Sequence, residues 1–317
     1  MKRMLAFFCA LLLILPLSAC SGKGKMPPAI TTPIRGEHHK PSGGVETTTP
    51  VTDSESAPSQ PQSPAQTQAP AQVQHPYLEF VLSNYGETYG VRLRAGATAP
   101  AEIVIPETFD GKTVSYLLDF AFAQASGSTS IVLPKTVKAV DNTALHENIK
   151  KISCTGDTVL GMDYSERITS LVIHSGDVKI GAFSGYEMLQ SLEIGTGVTE
   201  LGLRAFADCY QLKTVAFREG ITKIGEGAFS DCGRLERLVF PNSLKEIGQS
   251  AFSGCESLRS VHIGNNLSWI GYWAFFDCQS LKGHFTVSSQ NLTYMLVNGE
   301  LCKKNGGENL TEWLVGI

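Results

Sequence analysis

Beyond its first fifteen residues the 317-residue sequence has no long hydrophobic run, and the run there, Leu5 to Leu15, is too short to span a bilayer comfortably. It also lacks a charge bias. Lys and Arg number 26 against 30 Asp and Glu, a net charge of -4, which excludes the basic field that gathers nucleic acid. Metal-ligand spacing is missing too. His174, His262 and His284 stand in no short-range pattern with one another or with carboxylates, and a structural zinc site needs closely spaced ligand pairs. Gly195-Thr-Gly-Val-Thr-Glu200 begins like a nucleotide loop but has Glu200 where the third glycine belongs. Gly181-Ala-Phe-Ser184-Gly185 is one residue out of step with a nucleophile elbow. No triad and no paired carboxylates stand out. These absences point away from an enzyme, a cofactor or a metal.

What is present is a repeat. Phe183, Phe206, Phe229, Phe252 and Phe275 recur every 23 residues, each preceded by alanine. Counting from the Phe, cysteine stands three later (Cys209, Cys232, Cys255, Cys278) and leucine six later (Leu189, Leu212, Leu235, Leu258, Leu281). Aliphatic residues stand nine later (Leu192, Val215, Leu238, Val261), with apolar residues at eleven (Ile194, Phe217, Phe240, Ile263). That alternation predicts a short half-buried strand. Aliphatics at fifteen and eighteen, followed by Gly202, Gly225, Gly248 and Gly271, predict a second, shorter extended segment. The three-residue spacing of Ala-Phe-x-x-Cys-x-x-Leu predicts a single helical turn across the core. The pattern reaches back to Phe122 and Leu145, loses register, and resumes at Phe183. About seven repeats are countable, the third irregular. Such a period is the signature of a solenoid, in which each unit packs on its neighbours.

The pattern Ile-Gly-x-x-Ala-Phe-x-x-Cys-x-x-Leu-x-x-Val-x-[Phe/Ile]-Pro resembles the BspA-like leucine-rich repeat family, also described as Treponema pallidum-type repeats, over roughly residues 76–317. The resemblance implies a β-rich leucine-rich-repeat solenoid, a right-handed stack entered through a β-hairpin-like N-terminal cap. Tyr77–Leu82 and Tyr89–Leu93 fit that opening hairpin, and Phe285–Tyr294 and Asn298–Leu301 fit the exit. It also implies a surface-exposed, ligand-binding, often adhesin-like protein, with no catalytic residues to carry over.

The N-terminus reads as an address. Lys2 and Arg3, an apolar run from Leu5 to Leu15 and Leu17-Ser18-Ala19-Cys20 together describe a secretory leader. The tetrad resembles a bacterial lipobox, which makes Cys20 the expected lipidated residue and the membrane the expected anchor. Residues 21–75 are rich in Pro, Ser, Thr, Gln and Ala and nearly free of large apolar side chains, so they cannot offset chain entropy by burial. Extended, such a tether reaches on the order of 170 Å, and as a flexible coil about 40 Å. The expected organisation is thus leader 1–19, lipidated Cys20 and tether 20–75, N-terminal β cap 76–116, repeat solenoid 117–284 and C-terminal cap 285–317.

Four of the eight cysteines form one column. Disulfide bonding along it is awkward because successive Cβ vectors run parallel. Tyr186 fills the same column without sulfur, so the plainer reading is small buried side chains donating weakly to loop carbonyls. Variable positions form surface ladders: Glu200, Lys223, Glu246 and Trp269 in one, and Gln190, Lys213, Glu236, Arg259 and Lys282 in another. Alternating charges there suit neighbour compensation. Trp269, Tyr272 and Trp273 break the rule by placing three large aromatics in mostly polar slots. They either shield the end of the stack or form a contact for a ligand. The sequence therefore points to a lipid-anchored bacterial envelope protein, exposed or extracytoplasmic. Its expected work is non-catalytic binding of an extracellular protein or glycan; the alternative is a structural envelope protein without a dedicated ligand.

Overall fold

The structure, a computed structural model, describes residues 74–281, 284–311 and Leu314. The expected leader, Cys20 and most of the tether lie outside the described residues. Nine strands form one parallel sheet, one strand per turn of a β-solenoid. In chain order they are Glu102–Val104, Ser130–Val132, Lys151–Thr155, Ser170–Ser175, Ser191–Gly197, Thr214–Phe217, Arg237–Val239, Ser260–Ile263 and Phe285–Val287. Each pairs with the next in sequence. Leu192, Val215, Leu238 and Val261 fall in consecutive register, so the period of 23 returns the chain to the same height and face. The sheet holds two rungs more than the repeats counted from sequence. The first, Glu102–Val104, precedes the phenylalanine pattern, and the last, Phe285–Val287, follows a one-residue slip out of it.

A second, four-stranded parallel sheet runs along another side of the stack. Its two-residue rungs are Glu200–Leu201, Lys223–Ile224, Glu246–Ile247 and Trp269–Ile270. In each rung the first side chain points outward and the second is buried. Every rung is followed by glycine. At Gly248 an added Cβ would stand 2.6 Å from the Glu226 nitrogen, and at Gly271 2.4 Å from the Gln249 nitrogen. The glycine column exists because adjacent turns touch backbone to backbone there.

The interior is a phenylalanine stack. Phe183, Phe206, Phe229, Phe252 and Phe275 are fully buried. Successive ring centroids lie 5.4, 5.4, 5.2 and 5.5 Å apart with planes within 10° of parallel. The segment carrying them is a run of tight turns, where the spacing had predicted a helical turn. Backbone φ is positive two residues before the phenylalanine (Gly181, Arg204, Gly227, Ser250, Trp273) and two after it (Gly185, Asp208, Asp231, Gly254, Asp277). This alternation turns every second N–H toward the next turn. Phe206 donates to the Ala228 carbonyl at 2.8 Å and Phe229 to Ala251 at 2.7 Å. Arg204 and Asp208 donate in the same direction, to Glu226 and Ser230. A helix would have turned those N–H groups along its own axis and left the next turn unpaired.

The irregular stretch after Leu145 holds two shortened turns. Leu145 bridges to Phe122, and Tyr164, on the short 3-10 helix Met162–Tyr164, is fully buried. Its hydroxyl donates to the Asp141 carbonyl at 2.6 Å. At the start of the solenoid the expected hairpin pairs Leu78–Leu82 with Thr88–Leu93. At the far end Tyr294–Val297 pairs with Glu300–Lys303 around Asn298-Gly299, both with positive φ, as a tight hairpin turn requires.

Two stability measurements check this packing. Phe229→Ala should lower stability by about 3–5 kcal/mol, as for a core phenylalanine, while Glu226→Ala should leave the thermal midpoint nearly unchanged; equal effects would undo the register. Gly248→Ala should cost about 2 kcal/mol or more by overpacking a backbone contact, and a denaturant midpoint equal to wild type would show that the turns are not in contact there.

Candidate binding surface

The cysteine column is an interior feature. Cys209, Cys232, Cys255 and Cys278 are buried and unpaired. Their thiols donate to the carbonyls of Phe183, Phe206, Phe229 and Phe252 at 3.4, 3.3, 3.4 and 3.2 Å. Each cysteine thereby serves the turn before its own. Burial pushes the Cys232 and Cys255 thiols well above the ordinary thiol range, and Cys154 up to about 12. Such groups are poor nucleophiles. Among the described residues, no three His, Cys, Asp or Glu side chains are placed to hold a metal ion.

The outward ladder of the second sheet is different. Glu200, Lys223, Glu246 and Trp269 stand in direct register. Lys223 reaches Glu200 at 3.4 Å, and in the other ladder Lys213 reaches Glu236 at 3.4 Å. Both pairs are exposed and contribute little to stability. Where the ladder ends in Trp269, a groove of about 280 Å³ opens across three turns, lined by Lys223, Glu226, Glu246, Gly248, Gln249, Trp269, Gly271 and Tyr272. Its floor is the glycine column. Trp269 and Tyr272 are 53 % and 54 % exposed.

The structure thus brings two of the three aromatics singled out from sequence into one groove. Trp273, also about half exposed, is not among its walls. Its ring stands 6.4 Å from that of Phe276. Its backbone has φ +54, in a column where two repeats use glycine, and a bulky residue in that region is disfavoured by about 1–2 kcal/mol. Phe276 escaped the sequence reading, although it occupies a column otherwise held by Ser184, Ala207, Ser230 and Ser253 and is 45 % exposed. The polar walls were missed as well, because Glu226 and Gln249 belong to turns whose aromatic partner arrives one or two repeats later.

Among the described residues, closure of the stack engages the following groups. The Phe275 N–H, which has no further repeat to meet, donates to the Leu314 carbonyl at 3.1 Å. The Asn291 amide donates to the carbonyls of Gly264 and Leu267 at 2.7 and 3.1 Å, and the Tyr294 hydroxyl to Ser268 at 3.3 Å.

The family described as BspA type leucine rich repeat region matches residues 163–293 in six copies. Over that stretch the repeats are similar to this type. Solved proteins of similar fold include a leucine-rich repeat protein from Bacteroides ovatus, 19 % identical over 65 % of this chain and 68 % of that one, with a TM-score of 0.33. The T. pallidum leucine-rich repeat protein is 22 % identical over 66 % of this chain and 90 % of its own, with a TM-score of 0.32. A leucine rich cell surface protein from Faecalibacterium prausnitzii is 19 % identical over 75 % and 59 %, at 0.32. No curated protein matches the sequence. Within these turns the geometry that repeats is internal, and the groove is built from the columns that vary.

The buried column generates one prediction. Peptide mapping after alkylation should find Cys209, Cys232, Cys255 and Cys278 unmodified in the folded protein and modified in denaturant. Modification under native conditions would show that the column is accessible.

Proposed function

We propose that this protein is a non-catalytic binding module held outside the cytoplasm, and that the Trp269–Tyr272 groove is where it contacts its ligand. The observation that carries the reading is the arrangement of that groove. Two half-exposed aromatic residues line it together with Glu226, Glu246 and Gln249, and the side chains of these last three make no hydrogen bond or ion pair among the described residues. Exposed aromatics beside unengaged polar groups raise a surface's capacity for contact and do nothing for its solubility. The leader, the Leu-Ser-Ala-Cys20 tetrad and the low-complexity tether support display from a membrane through a lipid on Cys20. The BspA-type repeat supports a scaffold whose role is to present surface. On this reading the partner is an extracellular protein or glycan, and the aromatic groove makes the protein adhesin-like.

Capture experiments with the leaderless chain test this. Immobilised wild type and a Trp269→Ala/Tyr272→Ala variant of equal thermal midpoint are exposed to extracellular matrix proteins and to a glycan array. The expected result is a partner bound by wild type and weakened about tenfold or more, about 1.4 kcal/mol, in the variant. Equal capture by both removes the groove from the reading. No capture by either, together with self-association in sedimentation, favours a structural envelope protein.

A further inference from the structure

We infer that the groove takes a neutral saccharide chain. The inference rests on the binding reading above and narrows it to one ligand chemistry. A sugar ring has two demands. Its C–H face stacks on flat apolar surface, and its hydroxyls both donate and accept hydrogen bonds. The groove answers both. Trp269 and Tyr272 supply half-exposed ring faces. Glu226 and Glu246 supply acceptors, the Gln249 amide supplies one acceptor and two donors, and Lys223 supplies a further donor.

Charge separates this ligand from its competitors. The walls carry two carboxylates and one ammonium, and the ammonium already faces Glu200 at 3.4 Å. An anionic chain meets net repulsion. A quaternary ammonium gains from rings and carboxylates but leaves the N–H donors of the Gln249 amide without partners, which costs affinity when they are desolvated. Hydroxyl groups leave none of these unanswered.

Shape agrees. The lining comes from three successive turns, and neighbouring strands lie about 4.8 Å apart, so the groove runs about 10 Å along the stack, the length of a short oligosaccharide rather than a single ring. Its floor is bare because Gly248 and Gly271 cannot accept a Cβ without striking the preceding turn. The solenoid's own packing therefore keeps the floor flat, and a ring can lie across backbone with an aromatic face beside it. Earlier turns have the same floor but carry Lys223 or Glu246 in the place of Trp269, and Glu226 or Gln249 in that of Tyr272. The platform exists only where the ladder ends.

Affinity electrophoresis of the leaderless chain tests the assignment. Native gels are cast with neutral polysaccharides (a mixed-linkage β-glucan, a xyloglucan, a galactomannan and an α-mannan) or with anionic ones (polygalacturonate and heparin). The expected result is retardation by at least one neutral polysaccharide, unchanged by salt and absent with the anionic ones. Trp269→Ala and Gln249→Ala should each raise the apparent Kd about tenfold, about 1.4 kcal/mol, with thermal midpoints unchanged. Trp273→Ala, outside the groove, should bind as wild type does. Absence of retardation by every neutral polysaccharide overturns the inference, as does retardation by the anionic ones alone, displacement by choline, or retention of binding in Trp269→Ala. If such a failure accompanies groove-dependent capture of a protein in the assay above, the saccharide assignment falls and the binding module stands. If both assays are silent, both readings fall.

Discussion

The contact on which the rest of the structure depends is the hydrogen bond from each stacked core phenylalanine's N–H but the last to the alanine carbonyl of the next turn, with ring laid on ring. Centroids 5.2–5.5 Å apart are slightly wider than the separation of neighbouring strands, about 4.8 Å. Ring stack and sheet can therefore advance together only if every turn has nearly the same length and path. Period, alanine, glycine column and cysteine column all follow. Alanine precedes the phenylalanine because the residue whose carbonyl is reached is itself fully buried between turns, as at Ala205, Ala228, Ala251 and Ala274, and must be small. Glycine follows the second rung because two backbones meet. Cysteine donates to the phenylalanine carbonyl of the preceding turn, whose direction the stack has fixed.

The same geometry explains why the ends need separate treatment. The N–H groups of each phenylalanine and of the residues two before and two after it point toward the C-terminal end of the stack, so the last turn is left with donors and the first with acceptors. Leu93 donates to the Ala121 carbonyl at 2.8 Å at one end, and Phe275 finds Leu314 at the other. A repeat cannot supply these partners, since the partner would be another repeat. Capping segments break the periodic pattern for this reason.

Most of the interior was legible in the sequence because burial constrains residue type. Phenylalanine, leucine and aliphatic columns can be read by counting. The path between them was less legible. A three-residue apolar spacing suits a helical turn and a run of tight turns alike, and the left-handed positions that distinguish them are held by Arg204, Ser250 and Trp273 as well as by glycine. The inter-turn hydrogen bonds from Arg204 to Glu226 at 2.9 Å and from Ser250 to Tyr272 at 3.0 Å offset the local cost at those positions, so composition carries no mark of it. Tyr164 was hidden by two short turns that moved it out of phase. The groove was half legible. Trp269 and Tyr272 stood out as departures from their columns, but the carboxylates facing them looked like ordinary ladder charges until the turns were placed side by side.

Where function sits follows from what the stack leaves free. Inward columns have no latitude, because a change in one turn must fit both neighbours. Outward positions of the second sheet meet only solvent and the adjacent rung, and there charge pairing suffices, as between Lys223 and Glu200. Trp269 has a rung on one side only, since Trp269–Ile270 is the edge of its sheet. A large ring at an inner rung would stand between two neighbouring rungs; at the edge, among the described residues, it stands in register with Glu246 alone. The last rung is thus the place where this ladder accepts an aromatic platform without disturbing the repeat, and the glycine floor beneath it is already required by the fold.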